Sequence, residues 1–295
     1  MKSIKRRFNT FYYKFPYLDI KELIENFAVF EGICITNIRL RYDIFENIEE
    51  NIVKNYHVIK KEYQSDELEE KILQKLALGD RKQYALYRSN RDISQMEGRV
   101  AYKKLYEKKM IKKERSREEA PKKEKYKLLK KEFRGYTPED KIKFTKNFDR
   151  FWYTFIVPFK NELDIGKTDE FKNNLYKNFD KFVSLTFEEL SNELLKEESY
   201  KLNIIESGGY WDKRNEFDIL AKDINGDFIV GECKWTNQKI CRNLLTKLKN
   251  KAKYLNFPIT NFALFSKNGF SSSLLKKSEA ILFDLNDFKV LLNDR

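Results

Sequence analysis

A carboxylate, a thiol and an amine follow one another in Glu232-Cys233-Lys234, and a second carboxylate, Asp218, stands in the apolar run before them. On an extended strand residues i and i+2 share a face, so Glu232 and Lys234 project together. The runs 216–221 and 228–235 flank Asn225-Gly226, a strong short-range signal for a β-hairpin, which makes them neighbouring strands. Two carboxylates beside a lysine make a site for magnesium, with manganese as a substitute. Asp218 and Glu232 supply oxygen ligands, the Cys233 carbonyl a third, and Lys234 orients or deprotonates the attacking water. Phosphodiester hydrolysis needs this set, because the cation stabilises the extra charge of the transition state and acidifies bound water.

Register decides whether the set can assemble. A strict two-residue Asn225-Gly226 turn pairs Asp218 with Cys233 and sends Asp218 to the face opposite Glu232 and Lys234. The catalytic reading therefore requires an odd loop, such as a three-residue turn with a bulge, pairing Asp218 with Glu232 or Lys234, or else a bend in the Asp218 strand. The competing reading is a surface hairpin with an ordinary Glu and Lys on its wet face. Phe228, Ile229, Val230 and Trp235 argue against it, since such flanks suit a strand covered on both sides.

The scarcest residue narrows the chemistry further: His57 is the only histidine among 295 residues. Ser-His-Asp hydrolases, Cys-His proteases and His-based zinc enzymes would all have to be built on it. Three cysteines, Cys34, Cys233 and Cys241, form no disulfide framework and lack zinc-like spacing, which suits a reducing, cytoplasmic setting. The basic N-terminus is followed by no apolar signal-peptide core, and the longest apolar stretch, Phe151 to Phe159, falls far short of the ~18–20 residues needed to span a bilayer. No membrane partner is expected. Ile165-Gly166-Lys167-Thr168 ends like a phosphate-binding loop, but Asn161 replaces the required first glycine and no strand precedes it, so no nucleotide cofactor is expected.

The elements that must position these groups can be read from periodicity. Leu18 to Phe30 and Ile44 to Tyr56 read as helices. Leu68, Ile72, Leu73 and Leu76 mark another that Gly79 is placed to end. A short helix fits Arg81 to Ser89, and Ser94-Gln95-Met96-Glu97 is a capping box opening a third. Three short helices in about 45 residues have the size of a helix-turn-helix. The aromatic run Phe148 to Pro158 reads as packing rather than as a base-stacking surface. Asn178 to Leu195 reads as a helix. Beyond the hairpin come a helix (Ile240 to Leu255), a strand (Asn261 to Phe265), a helix (Ser271 to Lys277) and a strand (Ala280 to Phe283).

Charge is concentrated where it would matter for a polyanion. Lys plus Arg number 59 against 46 Asp plus Glu, a formal charge of +13, and residues 99–134 alone hold sixteen basic residues against six glutamates. Arg99, Lys103, Lys104 and Lys108 on the third helix, with Lys112 and Lys113 after it, are what a winged helix needs to contact phosphates of duplex DNA. Such binding falls steeply with salt. The plainer alternative is a solvated, lysine-rich surface with no ligand.

Three segments together, Glu206-Ser207-Gly208-Gly209-Tyr210-Trp211, Asn215 to Leu220 and Val230-Gly231-Glu232-Cys233-Lys234-Trp235, resemble the PD-(D/E)XK nuclease superfamily. The likeness is strongest to the restriction-endonuclease-like tail of archaeal-type ATPases. Upstream, Leu76 to Asp80, Ile93-Ser94-Gln95 and Arg150 to Pro158 resemble the winged helix and linker that precede that tail, so the resemblance runs from about residue 65 to the C-terminus. It implies that Asp218, Glu232 and Lys234 are catalytic and that a helix glutamate is an auxiliary metal ligand. Glu188 is preferred for that role and Glu189 stays open, while Glu216 shares the strand face of Asp218. The ATPase domain of the family is missing. The expected fold is α+β to α/β: an N-terminal helical region (1–60), a winged-helix DNA-binding domain (61–135), an aromatic linker (136–180) and a restriction-endonuclease-like domain with a central mixed sheet (181–295). The expected function is a magnesium-dependent DNA endonuclease acting on duplex DNA, with double-strand cleavage calling for a homodimer. The alternative is a catalytically inactive DNA-binding or regulatory protein that uses the nuclease fold as a scaffold.

Overall fold

A computed structural model describes residues 3–41, 43–79, 81–82, 93–119, 128, 136–198, 202–276 and 279–293. The N-terminal part is helical: Ile4–Lys14, Ile20–Phe30, Ile44–Ile48 continuing as a π-helical turn, Tyr56–Glu62 and Glu67–Ala77. The first of these has no expectation behind it, because its polar Asn9 and Thr10 break the apolar pattern. It forms nonetheless on a Ser3 side-chain cap and buries Phe8 and Phe11. Asp19 and Glu22 close a reciprocal capping box on the second helix.

The helix Glu67–Ala77 ends before Gly79, whose φ of 105° is the left-handed conformation glycine supplies there. Helix Gln95–Glu107 begins at the expected capping box, with the Glu97 amide donating to Ser94 Oγ (3.2 Å) and the Ser94 amide to Glu97 Oε2 (3.0 Å). The short helix expected over 81–89 lies largely outside the described residues. After Gln95–Glu107 come two antiparallel strands, β1 (Ile111–Glu114) and β2 (Lys141–Phe144). The partner of β1 thus lies beyond residue 135, across a long intervening segment, so the expected boundary between the 61–135 and 136–180 regions falls between two paired strands.

The aromatic run is core. Phe148, Phe151, Trp152, Tyr153, Phe155 and Ile156 are buried within a helix Asn147–Phe151 that continues as π and 3-10 turns to Phe159. They belong to one hydrophobic cluster that reaches from Phe8 to Leu291 and binds the N-terminal helices, the β1–β2 pair and one face of the C-terminal sheet together. Through it runs a 29-residue helix, Asp169–Glu197, which begins nine residues before the expected Asn178, with Phe171 and Leu175 continuing the buried stripe of Phe179 and Phe182 towards its start.

The C-terminal sheet has five strands in the order β3 (Ile204–Trp211), β4 (Glu216–Asp223), β5 (Phe228–Lys234), β6 (Ile259–Ser266) and β7 (Ile281–Phe283). The first three are antiparallel neighbours, and β5, β6 and β7 run parallel, so the sheet is mixed. One face packs on the long helix. The other carries a second cluster, in which Leu220, Val230 and Leu264 meet Leu245 and Leu248 of helix Arg242–Ala252. β5 is therefore covered on both faces, as its apolar flanks require.

Candidate functional site

The β4–β5 turn has three loop residues, Ile224, Asn225 and Gly226. Asp223 N donates to Asp227 O (2.9 Å), and Asp223 Oδ1 accepts from the amides of Asn225 and Asp227 at 2.9 Å each. Gly226 sits at φ 90°, the left-handed position that closes a three-residue hairpin loop. Pairing runs from Lys222↔Phe228 to Ile219↔Gly231, and one further step sets Asp218 opposite Glu232. Gly231 has its own reason for being glycine, since a Cβ there would lie 2.9 Å from Ile219 Cβ on the paired strand.

On the other edge of β4 the register slips: Gly208 pairs with Leu220 and Tyr210 with Phe217, so three steps on β4 answer two on β3. This bulge at Asp218–Ile219 bends the strand at the acid, and it returns Phe217 to the face of Leu220, where both join the second cluster. With the ladder interrupted, Cys233 N donates to Asp218 Oδ2 (2.8 Å). Asn192 of the long helix donates to Asp218 O (3.3 Å) and accepts from Ser207 Oγ of β3 (2.8 Å), so three elements meet at this residue.

Electrostatics marks the same point. Burial, then the Glu232 carboxylate, pushes Asp218 above the usual carboxylate range, against the Cys233 amide and Lys234. Glu188 on the long helix is pushed up too, by burial and then by Asp218. Glu189 behaves oppositely: although burial alone would raise it, the Lys143 ammonium 2.9 Å away holds it at about 2. Of the two helix glutamates, Glu188 is thus the one whose charge is opposed by Asp218, and Glu189 is tied into an ion pair. Glu216 is likewise engaged, with Lys141 at 2.5 Å and Arg81 at 3.9 Å.

Lys234 Nζ donates to Glu232 Oε1 at 2.5 Å. Burial lowers the pKa of Lys234, but the Glu232 bond and charge outweigh it, so the group is raised and stays an ammonium. That suits orienting and charge stabilisation and disfavours the role of base. The Cys233 thiol is buried and pushed up, which leaves the carbonyl as this residue's available donor to a hard cation. Among the described residues, no group of three or more His, Cys, Asp or Glu is already gathered to hold a metal ion. The donors themselves fit magnesium, being oxygen ligands, and Glu188 and Asp218, raised first by burial and then by a neighbouring carboxylate, would both be favoured as anions by a bound cation. Glu232 would have to turn from Lys234 to join them.

Glu188, Asn192 and Asp218 line a cleft of about 430 Å³ whose opposite wall carries Arg81, Lys112 and Lys141. Glu232 and Lys234, at the C-terminal end of β5, do not line it. Arg117, three residues past β1, fastens that segment to the sheet edge, with Nε on Glu206 Oε1 (2.8 Å) and Nη1 on the carbonyls of Gly208 (3.1 Å) and Leu220 (2.5 Å).

The six expected phosphate contacts divide. Arg99 is exposed; Lys103, Lys104 and Lys113 are exposed but carry loose pairs to Glu107 (3.9 Å), Asp66 (3.5 Å) and Asp140 (3.8 Å). Lys108 holds Glu69, whose side chain is 1% exposed, at 2.6 Å. Lys112 is half-buried and turned into the cleft. Much of the basic stretch, 120–127 and 129–134, lies outside the described residues. Arg81, Lys141 and Lys143 were not singled out by sequence. Each sits in an unremarkable basic context, and only the pairing of β2 with β1 carries the two lysines to the acids.

Residues 152–252 match the model of a family, DUF234, described as archaeal and bacterial proteins of unknown function. That span contains Glu188, Asp218, Glu232 and Lys234. Among solved structures, the crystal structure of protein VC1899 from Vibrio cholerae is similar at 13% identity and a TM-score of 0.30, over 81% of this chain and 59% of that one. The chain therefore spans well under two thirds of the length of that protein. No curated protein matches. Among the described residues, no helix is long and apolar enough to cross a membrane.

Proposed function

We propose that the chain is a metal-dependent DNA endonuclease of the PD-(D/E)XK type, hydrolysing phosphodiester bonds in the reducing cytoplasm. The observation that carries the reading is the three-residue β4–β5 loop, whose register puts Asp218 opposite Glu232 on the strand that ends at Lys234. The bulge on the β3 side bends β4 at the acid, the Cys233 amide holds its carboxylate, and Glu188 stands close enough to oppose its charge. Asp218, Glu188, the Cys233 carbonyl and a released Glu232 would hold magnesium, or manganese in its place, which when bound acidifies water and stabilises phosphate charge. Lys234, kept as an ammonium, orients the nucleophile and offsets charge on the phosphate. Arg81, Lys112 and Lys141 across the cleft receive the DNA backbone, and Arg99, Lys103 and Lys104 extend the contact along the duplex. One such site cuts one strand, so double-strand cleavage requires two copies.

A second reading has its own support. The Glu232–Lys234 bond and the absence, among the described residues, of a gathered acidic group suit a protein that keeps the scaffold and binds DNA without cutting it. A gel shift with short duplex DNA in calcium, followed by transfer to magnesium, separates the two. Binding in calcium and shortened strands in magnesium support the nuclease; binding with intact strands in both supports the scaffold reading; no binding overturns both.

A further inference from the structure

Beside the cleft, and sharing its Lys141, Lys143 and Glu189 wall, lies a second cavity of about 540 Å³. It is bounded by the C-terminal end of helix Glu67–Ala77, by β2, by the aromatic helix and by the long helix. That volume falls in the range of small-molecule sites, and Phe155, Pro158, Phe159, Phe182 and Leu185 give it apolar walls. Its buried charge is Arg150, 8% exposed. Arg150 Nη1 donates to Phe182 O (2.9 Å) and Nη2 to Thr186 Oγ1 (3.0 Å), and the guanidinium carbon lies 3.9 Å from the Phe182 ring centroid. Neither hydrogen-bond partner carries charge. The two acids of the lining are already committed, Glu189 to Lys143 and Glu216 to Lys141. Lys82, Lys146, Lys181 and Arg150 form no ion pair among the described residues. Glu189 and Glu188 offset the Arg150 charge from a distance, but no carboxylate among the described residues lies within ion-pair distance of the guanidinium, and that planar fork suits a phosphate or carboxylate.

We propose that this cavity is a binding site for a small organic anion with a flat apolar body, its phosphate or carboxylate held by Arg150 and steered by Lys181. The apolar body packs between the Phe155 and Phe182 sides of the cavity. The site is independent of metal and of the Asp218 cluster, and so goes beyond the nuclease reading.

Titration of the full chain with 1-naphthyl phosphate in EDTA, read by isothermal calorimetry, tests it. The expected result is one saturable site at least tenfold tighter than for 1-naphthol or inorganic phosphate alone. It should weaken at least tenfold in Arg150→Gln and measurably in Lys181→Glu, be partly kept in Arg150→Lys, and be unchanged in Asp218→Ala. Lys181 is exposed, so its variant decides the matter even if Arg150→Gln fails to fold. No saturable binding, equal affinity for 1-naphthol, or a Lys181→Glu protein that binds like wild type would overturn the proposal. Loss in Asp218→Ala would instead move the ligand to the neighbouring cleft.

Discussion

Two adjacent glutamates on one helix, Glu188 and Glu189, have opposite electrostatic fates because one faces Asp218 and the other an ammonium. Successive residues on a helix point about 100° apart, so adjacent acids meet different neighbours. Glu188→Gln should therefore lower strand-nicking rates by at least tenfold, while Glu189→Gln leaves the chemical step in place and lowers the melting temperature instead, since it leaves half-buried Lys143 with one partner fewer. Nicking rates and thermal melts of the two variants check this. Asp218, Glu232 and Lys234 were legible in sequence because strand alternation is a local rule. The choice between Glu188 and Glu189 was not, since it depends on Lys143, which arrives from β2 with no periodic signal of its own. Lys234 also shows the limit of residue type: a lysine beside a carboxylate reads as base or orienter, and the 2.5 Å bond to Glu232 offsets the burial that would push it towards the neutral base.

Among the elements, the β4–β5 hairpin fixes the site's register. Deleting Asn225 would leave a two-residue loop of Ile224 and Gly226 with Asp223 still facing Asp227, so Asp218 would stay opposite Glu232. The expected result is a protein that still nicks but unfolds at lower urea, because a two-residue turn puts Ile224 into a strained conformation and loses the Asn225 amide bond to Asp223. Gly226→Ala, strained at φ 90°, should cost about 1 kcal/mol of stability while leaving register intact, measurable by urea unfolding. The Asn-Gly pair announced a hairpin, but the loop length was open, because it depends on Asp223 Oδ1 receiving two loop amides rather than on the Asn-Gly pair itself. The aromatic helix makes a separate prediction. Asp149, buried and bonded by Tyr63 OH (2.6 Å), is pushed up to about 6 by burial. An acid raised above its unfolded value of about 3.9 binds protons more tightly when folded, so stability is greatest below pH 4 and is lost as pH rises to about 6. For this one group the loss is of order 3 kcal/mol, and it should vanish in Asp149→Asn, which keeps an acceptor for Tyr63. Urea midpoints of both proteins at pH 4 and pH 7 measure it.

For the whole molecule, one hydrophobic cluster joins segments that read as four separate regions, and the segment after β1 is pinned to the sheet edge through Arg117. Composition showed the basic excess and periodicity most of the helices. That the β1–β2 pair lines the cleft of the acids was hidden, because β1 and β2 are separated by a long stretch with no apolar pattern. Cations that share a sequence signal also divide by role. Arg99→Ala and Lys103→Ala should each reduce the salt slope of duplex binding by about 1 without changing the melting temperature. Lys108→Ala should instead cost about 1–2 kcal/mol of stability, because it strands the buried Glu69. Salt-dependent fluorescence anisotropy and thermal melts separate these outcomes. The most direct test of the central claim is a time course of supercoiled plasmid nicking in magnesium by wild-type and Lys234→Ala protein, with an EDTA control. The account predicts metal-dependent nicking by wild type and its loss in the variant. Equal nicking by both proteins, or nicking that survives EDTA, would contradict it.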